Sequence, residues 1–417
     1  MGKKALVLGG GGAKGSYEIG AWKAFEELNK SWDMIVGTSI GSLNGAAMVQ
    51  GDFKSALRLW ENIDYKNVFG DNDGDVSNIE NTFDMIKYTF SEGVITDGGY
   101  DTNLLYNIIA ASLSEAKVRK SPVEFGLMTV EIPNMKPWGL MISEIPQGKL
   151  CDFLMASCSC YPVFKPRTID GKRFIDGGYY DNLPVNLAIE NGADDIVAVD
   201  LEAMGFVKEV KRSEDAAVLK IKPYWNLGAA FDFDKNRFER NRILGYNDTM
   251  KAYGYLEGHY YSFRNGECRR NYFLLKSVLA TASKKIDEML LRPPTRLTQT
   301  LERRSCIGFL SAGSFLRDEA EMFCRIAETA ALVYQLSPLE IYTFAKFNDA
   351  LLREFLKYGG NISLPRGLPT DITYILSAIS KAMDKRRITS LIVELMLRGK
   401  SNGEPIWTLA EILPREF

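Results

Sequence analysis

WDMIVGTSIGSLNGAA, residues 32–47, is the stretch from which the rest of the chain is read. Met34, Ile35 and Val36 favour an extended backbone, and a serine follows at position 39 with a glycine two places to either side. A run of small residues with helical potential comes next. Strand, Gly37-Thr38-Ser39-Ile40-Gly41 and helix make a sharp corner with one hydroxyl at its apex. Gly37 and Gly41 lie where a Cβ would crowd the turn, and the helix N-terminus behind Ser39 favours developing negative charge.

Working outward toward the N-terminus, residues 3–8 form a short apolar strand that breaks into Gly9-Gly10-Gly11-Gly12-Ala13-Lys14-Gly15. An amphipathic helix follows over 16–29, with Ile19, Trp22, Phe25 and Leu28 on its apolar face. A glycine turn between strand and helix gathers backbone N–H groups toward one anion. Three readings compete for it. Gly10-x-Gly12-x-x-Gly15 has the letters of a dinucleotide fingerprint, but the second strand ends in Gly37-Thr38-Ser39 where the ribose-binding acid should stand. The lysine and serine are in the wrong order for a P-loop. The third reading is an oxyanion hole for Ser39, which requires the two strands to be parallel neighbours so that both glycine turns face one cleft.

Residues 53–62, 79–90 and 101–113 read as helices inserted before the next strands, and they are suited to roof the Ser39 cleft. Asp71, Asp73 and Asp75 alternate as at the start of a calcium loop. However, Gly74 is out of place and Thr82 stands where the closing glutamate belongs, so no metal is expected. Strands over 123–132 and 139–145 form a hairpin around Pro133 and Pro137, and 150–158 is a short helix. A strand over 172–175 then ends directly in Asp176-Gly177-Gly178, and a helix begins near Pro184. Strands at 195–200 and 216–221 have the apolar composition of a buried sheet. Strand and helix alternating in this way give an α/β layer fold to about residue 222.

A serine hydroxyl needs a proton acceptor. The chain has one histidine, His259, in an aromatic segment beyond the last convincing strand. A Ser39, Asp176, His259 triad would keep the chain order of α/β-hydrolases. The other arrangement is a Ser39–Asp176 dyad. There the carboxylate has an ordinary pKa near 4 and must be partly desolvated, and oxyanion donors must carry most of the developing charge.

Four pieces together resemble the patatin-like phospholipase family. They are Gly10 to Gly15 with Gly20, Gly37-Thr-Ser-Ile-Gly41 followed by Leu43-Asn44-Gly45-Ala46, Ala156-Ser157 with Pro162-Val-Phe-Lys-Pro166, and Asp176-Gly177-Gly178 with Asn182-Leu-Pro-Val185. The match covers about residues 4–222, in the manner of a bacterial member with an additional C-terminal helical region. The resemblance implies a three-layer α/β/α sheet and hydrolysis of phospholipid, lysophospholipid or acylglycerol esters, with no metal and no cofactor. It makes Ser39 the nucleophile and Asp176 its partner. Gly10, Gly11, Gly12 and Ile40 supply the oxyanion hole, with Lys14, Gly15, Gly37, Gly41, Gly177 and Gly178 in support. Lys14 stands where the family usually has arginine, keeping the charge and losing the planar fork.

The composition bounds the rest. The 417 residues are 46% hydrophobic and 25% charged, with a formal net charge of −2, an ordinary globular balance without the basic stripe of a nucleic-acid binder. Six cysteines at 151, 158, 160, 268, 306 and 324 are too few and too scattered for a disulfide framework, and the central Cys158-Ser159-Cys160, which is not a metal-type C-x-x-C, reads as reduced, packed thiols. With no apolar run of membrane-spanning length, the expected location is the cytoplasm, peripheral to a membrane at most. After Pro223 the composition shifts, giving two expected domains, 1–222 and a mainly helical 223–417. Helices are expected at 272–290, 318–334, 338–358, 371–384 and 388–397, with a basic cluster Lys385-Arg386-Arg387. The apolar stripes of this second domain read first as the core of a small helical bundle and second as a lid or lipid-binding element, and a homo-oligomer is left open. The competing functional classes are a nucleotide-binding α/β protein and a non-catalytic interaction protein.

Overall fold

The computed structural model describes residues 2–64, 68–69, 99–210, 216–270, 324, 328, 331 and 335–357. It divides into two compact units, Met1–Ala252 and Tyr253–Phe417.

The first unit is built on an eight-stranded mixed sheet. Strand β1 (Lys3–Leu8) is central and pairs in parallel with β2 (Met34–Thr38) on one side and β7 (Ala193–Val199) on the other. Beyond β7 lies β8 (Ala217–Ile221), also parallel. Beyond β2 lies β3 (Glu124–Ile132), which carries β4 (Lys136–Met141) as its hairpin partner. Strands β5 (Arg167–Ile169) and β6 (Lys172–Asp176) complete it.

The pairing around β3 sets the geometry of everything that follows. A strand has two edges. Along one, β4 runs antiparallel from Gly126 to Glu131. Along the other, β2 pairs in parallel as far as Thr38 opposite Met128, and β6 pairs antiparallel from Ile132 back to Thr129 opposite Asp176. β2 and β6 therefore approach each other head to head along one edge of β3, and their last residues stop at consecutive rungs, Met128 and Thr129. Each strand delivers its C-terminal residue to the same point.

Both faces of the sheet are covered. On one, Ala5, Val7, Met34, Val36, Ile196 and Ala198 pack with Leu183, Val185, Leu187 and Ala188 around helix α7 (Val185–Glu190). The alternate residues Leu8 and Ile35 point the other way, beneath Gly45 of α2 (Ile40–Gln50). Period-two alternation with apolar side chains on both faces is the signature of a sheet buried between helical layers. The α/β/α arrangement expected from the sequence is the one observed. β8 is an exception to its expected burial, because it is the sheet edge and leaves Val218 and Leu219 exposed.

The compact unit runs past residue 222 to Ala252, taking in helix α8 (Lys235–Ala252). This stretch lies beyond the composition shift at Pro223, yet α8 packs closely on α1 (Ser16–Glu27). The crossing is tight because each helix offers a glycine to the other. A Cβ at Gly20 would sit 1.8 Å from the Arg242 carbonyl oxygen, and one at Gly245 would sit 1.9 Å from that of Tyr17.

Helices α3 (Phe53–Asn62), α4 (Asn103–Ser112), α5 (Glu115–Lys120) and α6 (Leu150–Ser157) fill the remainder. In the second unit the described residues contain a three-stranded sheet of β9 (Leu256–Glu257), β10 (Ser262–Arg264) and β11 (Ile341–Tyr342). They also contain α9 (Phe344–Lys357), which begins six residues later than the helix expected from 338. The extended pair Ile341 and Tyr342 joins β10 instead. Cys268 is bonded to Cys324, while Cys158 and Cys160 are free thiols, as read from their sequence. A scattered pair can still be brought together by tertiary structure across 56 residues. The Asp71, Asp73, Asp75 run, the helix at 79–90, those at 272–290, 371–384 and 388–397, most of that at 318–334, and the cluster 385–387 lie outside the described residues.

Candidate active site

Ser39 is the corner between β2 and α2, at φ +53° and ψ −127°. That conformation is strained for a side-chain-bearing residue and lifts the hydroxyl out of the helix. The glycines at either side are required by contact distances. A Cβ at Gly37 would lie 2.4 Å from the Gly41 carbonyl carbon, and one at Gly41 would lie 2.4 Å from the Leu8 carbonyl oxygen. The Ser39 N–H donates to Ser157 Oγ at 2.8 Å, and Ser157 Oγ donates to the Met128 carbonyl at 2.7 Å. Ser42 Oγ donates to the Ser39 carbonyl at 2.6 Å. The corner is thereby pinned to the rung of β3 where β2 stops.

Asp176 arrives from the opposite direction. Ser39 Oγ donates to Asp176 Oδ2 at 2.6 Å, and the Gly178 N–H donates to Oδ1 at 2.7 Å. Asp176 is 6% exposed. Burial pushes its carboxyl up to about 6, partly offset by the hydrogen bonds from Ser39 and Gly178. A carboxylate that titrates near neutrality beside a hydroxyl is a competent proton acceptor, where one with an ordinary pKa near 4 would be a weak one. Both carboxylate oxygens are engaged without a histidine. His259 belongs to the second unit, where its N–H donates to Glu328 Oε1 at 2.6 Å.

The glycine turn faces the same point. Gly11 and Gly12 border the cavity that contains Ser39 and Asp176. Ile40, as the first residue of α2, has an N–H with no intrahelical acceptor. Gly10 departs from the oxyanion role expected of it, because its N–H donates to the Asn182 carbonyl at 3.0 Å. Asn182 Nδ2 returns a bond to the Gly10 carbonyl at 3.1 Å, so this one residue ties the glycine turn to the Asp176 loop. Gly177 lies against the Met128 carbonyl, where a Cβ would come within 2.3 Å, and Gly15 similarly admits the Ile40 side chain. Lys14 does not join the cavity wall. Its ammonium reaches the Glu202 carbonyl at 3.4 Å, and burial lowers its pKa against the opposing pull of Glu202 and Asp200.

The cavity beside this cluster has a volume of about 490 Å³. Its wall is chiefly Leu, Ile, Phe and Ala from α2, α3, α4 and the segment around Phe231. It is the size and character of a small-ligand site. Among the described residues no group of three or more His, Cys, Asp or Glu side chains could hold a metal ion.

A model of the patatin-like phospholipase family matches residues 6–189. This segment is thus similar to a patatin-like phospholipase domain. The domain is 28% identical over 205 residues to lysophospholipase NTE1 of Mycosarcoma maydis, 47% of this chain and 9% of that protein. It is 30% identical over 201 residues to lysophospholipase nte1 of Aspergillus fumigatus, 47% of this chain and 12% of that one. Patatin-like phospholipase domain-containing protein 7 of Rattus norvegicus is 26% identical over 205 residues, 47% of this chain and 13% of that protein. The chain thus spans about a tenth of the length of the curated relatives it matches. Among solved structures, VipD from Legionella pneumophila covers 97% of this chain and 93% of its own at 13% identity, with a TM-score of 0.39, too low to establish a shared overall fold.

Within the patatin-like domain, the structure brings together Ser39, Asp176, Gly11, Gly12, Ile40 and Gly178. It assigns Ser157 and Asn182 positioning contacts that spacing did not reveal. Their signal was present in the two family pieces Ala156-Ser157 and Asn182-Leu-Pro-Val185, but a polar side chain's partner across 118 or 172 residues is not written in local sequence.

Proposed function

We propose that this protein is a serine acyl hydrolase of lipid carboxylic esters, acting on phospholipid, lysophospholipid or acylglycerol through an acyl-enzyme. The observation that carries the reading is the 2.6 Å hydrogen bond from Ser39 Oγ to a buried Asp176 at the edge of an apolar cavity. Ser39 Oγ attacks the ester carbonyl carbon while Asp176 Oδ2 takes its proton. The N–H groups of Gly11, Gly12 and Ile40 receive the oxyanion, aided by the positive end of α2. Collapse of the tetrahedral species expels the alcohol, which takes the proton from Asp176. Water, deprotonated by the same carboxylate, then attacks the acyl-enzyme and releases the fatty acid.

The apolar wall supports an acyl chain as ligand over a dinucleotide, whose phosphates and sugars would find few polar partners there. Met204 and Phe206, each 67% exposed, stand at the rim of the cavity and support transient contact with a lipid surface. The test is labelling by a fluorophosphonate probe. Wild type is expected to be modified at Ser39 and to hydrolyse lipid esters, and Ser39→Ala to do neither. Labelling elsewhere, or hydrolysis that survives in Ser39→Ala, removes the proposal.

A further inference from the structure

The cavity extends well beyond the reacting groups, along the length of α2. Ile40, Leu43, Ala47 and Gln50 line it. Their spacing of three, four and three places them on one face of the helix. Opposite them lie Leu59 and Ile63 of the α3 region and Leu105 and Ile109 of α4. The wall changes character at one end. The polar residues Gln50, Asp52, Ser55 and Ser112 come from the C-terminal end of α2, the start of α3 and the C-terminal end of α4. All of them are remote from Ser39, which caps the N-terminus of α2.

Gln50 is fixed in place by both halves of its amide. Its Oε1 accepts from the Ser114 N–H at 2.6 Å and its Nε2 donates to the Ser112 carbonyl at 3.2 Å. It therefore bridges α2 to the junction of α4 and α5. An apolar chain end arriving there meets a committed amide, and displacing it would leave a backbone donor and acceptor without partners.

We infer that this channel is the acyl subsite and that Gln50 is a specificity-determining residue closing its far end. The inference rests on the ester-hydrolase reading above. Eleven residues separate Ser39 from Gln50, so at a helical rise of ~1.5 Å the channel is about 16 Å long. An extended chain advances ~1.2 Å per bond, since a three-bond residue spans at most ~3.3–3.6 Å, and the channel therefore holds an acyl chain of about 14 carbons. The preferred substrates are esters of medium to myristoyl-length acids, and longer chains must displace the amide. Ala47 provides a nearer stop. It lies eight residues from Ser39, about 12 Å at that rise, so a large side chain there limits the channel to about 10 carbons.

The experiment measures kcat/KM over a series of p-nitrophenyl esters from butyryl to stearoyl, in the full chain. It reads the ratio of each longer ester to the butyryl ester within one preparation. For wild type the ratio is expected to rise with chain length and break at the myristoyl ester. In Ala47→Phe the break moves to the decanoyl ester, with the myristoyl ratio down at least about tenfold, the order of ~1.4 kcal/mol. In Gln50→Ala the break moves to palmitoyl or beyond. Because each value is a ratio, a partly unfolded preparation does not mimic either shift. Breaks that coincide in all three proteins would overturn the gauge while leaving the hydrolase reading intact. Wild type that hydrolyses no ester faster than Ser39→Ala would overturn the hydrolase reading, and the gauge with it.

Discussion

Replacing Asp176 by asparagine separates what this carboxylate does for the reaction from what it costs the fold. The side chains are nearly isosteric. The new Oδ1 can keep the Gly178 N–H, which leaves Nδ2 facing Ser39 Oγ. That amide donates where the carboxylate accepted, and it cannot take a proton. General-base catalysis contributes ~100- to 10,000-fold, so kcat should fall by that factor. For wild type, kcat/KM should drop about tenfold per pH unit below pH ~6, as the buried carboxyl protonates. The residual rate of the variant should be flat there.

Stability should move the other way. The carboxyl's ordinary pKa is about 3.9, and burial raises it to about 6 in the folded protein. Between those values the folded state binds more protons than the unfolded one, so stability falls as pH rises through the window. The gap corresponds to ~3 kcal/mol at neutral pH, an upper figure because the amide is also buried. Urea melts of wild type and Asp176→Asn should therefore agree near pH 4 and diverge toward pH 7, with the variant the more stable. A variant that keeps more than about a tenth of wild-type kcat, or a stability difference that does not change between pH 4 and 7, would refute this account of Asp176.

Ser39→Gly should be inactive and yet stay within about 1 kcal/mol of wild type in thermal or urea melts. It releases a backbone strain of ~1–3 kcal/mol at φ +53°, offset by the entropy glycine adds to the unfolded chain and by loss of the hydrogen bond to Asp176. Ser157→Ala removes the acceptor for the Ser39 N–H and the donor to the Met128 carbonyl. It should destabilise the first unit by ~1–3 kcal/mol and lower kcat about tenfold with KM little changed, since it positions the corner and does not touch substrate. Steady-state kinetics that show a change in KM alone would count against that role.

Local sequence was enough for each corner taken singly. Gly37 and Gly41 around Ser39, the glycine run after β1 and Asp176-Gly177-Gly178 after β6 are short-range steric and hydrogen-bonding requirements, and such requirements leave marks within a few residues. The continuous apolar runs of β1, β2 and β7 likewise specify a sheet covered on both faces, because side chains pointing to either side are then apolar. The long helix α8 escaped that reading. Its apolar face is interrupted by the charged and aromatic residues that pack on α1, and only the interlock of Gly20 with Gly245 shows why it belongs to the first unit.

What no local pattern contained is the meeting of the corners. That depends on β2 and β6 sharing one edge of β3 and stopping at adjacent rungs, a register set by pairing residues as far apart in the chain as Thr38 and Met128, and Thr129 and Asp176. The same long-range packing decides that Gly10 is occupied by Asn182 while Gly11 and Gly12 face the cavity, and that Asp176 is desolvated enough to titrate near neutrality. Residue identity determined which groups could react. Strand register and burial determined that they touch, and with what proton affinity, because both are properties of neighbours that the chain supplies only when folded.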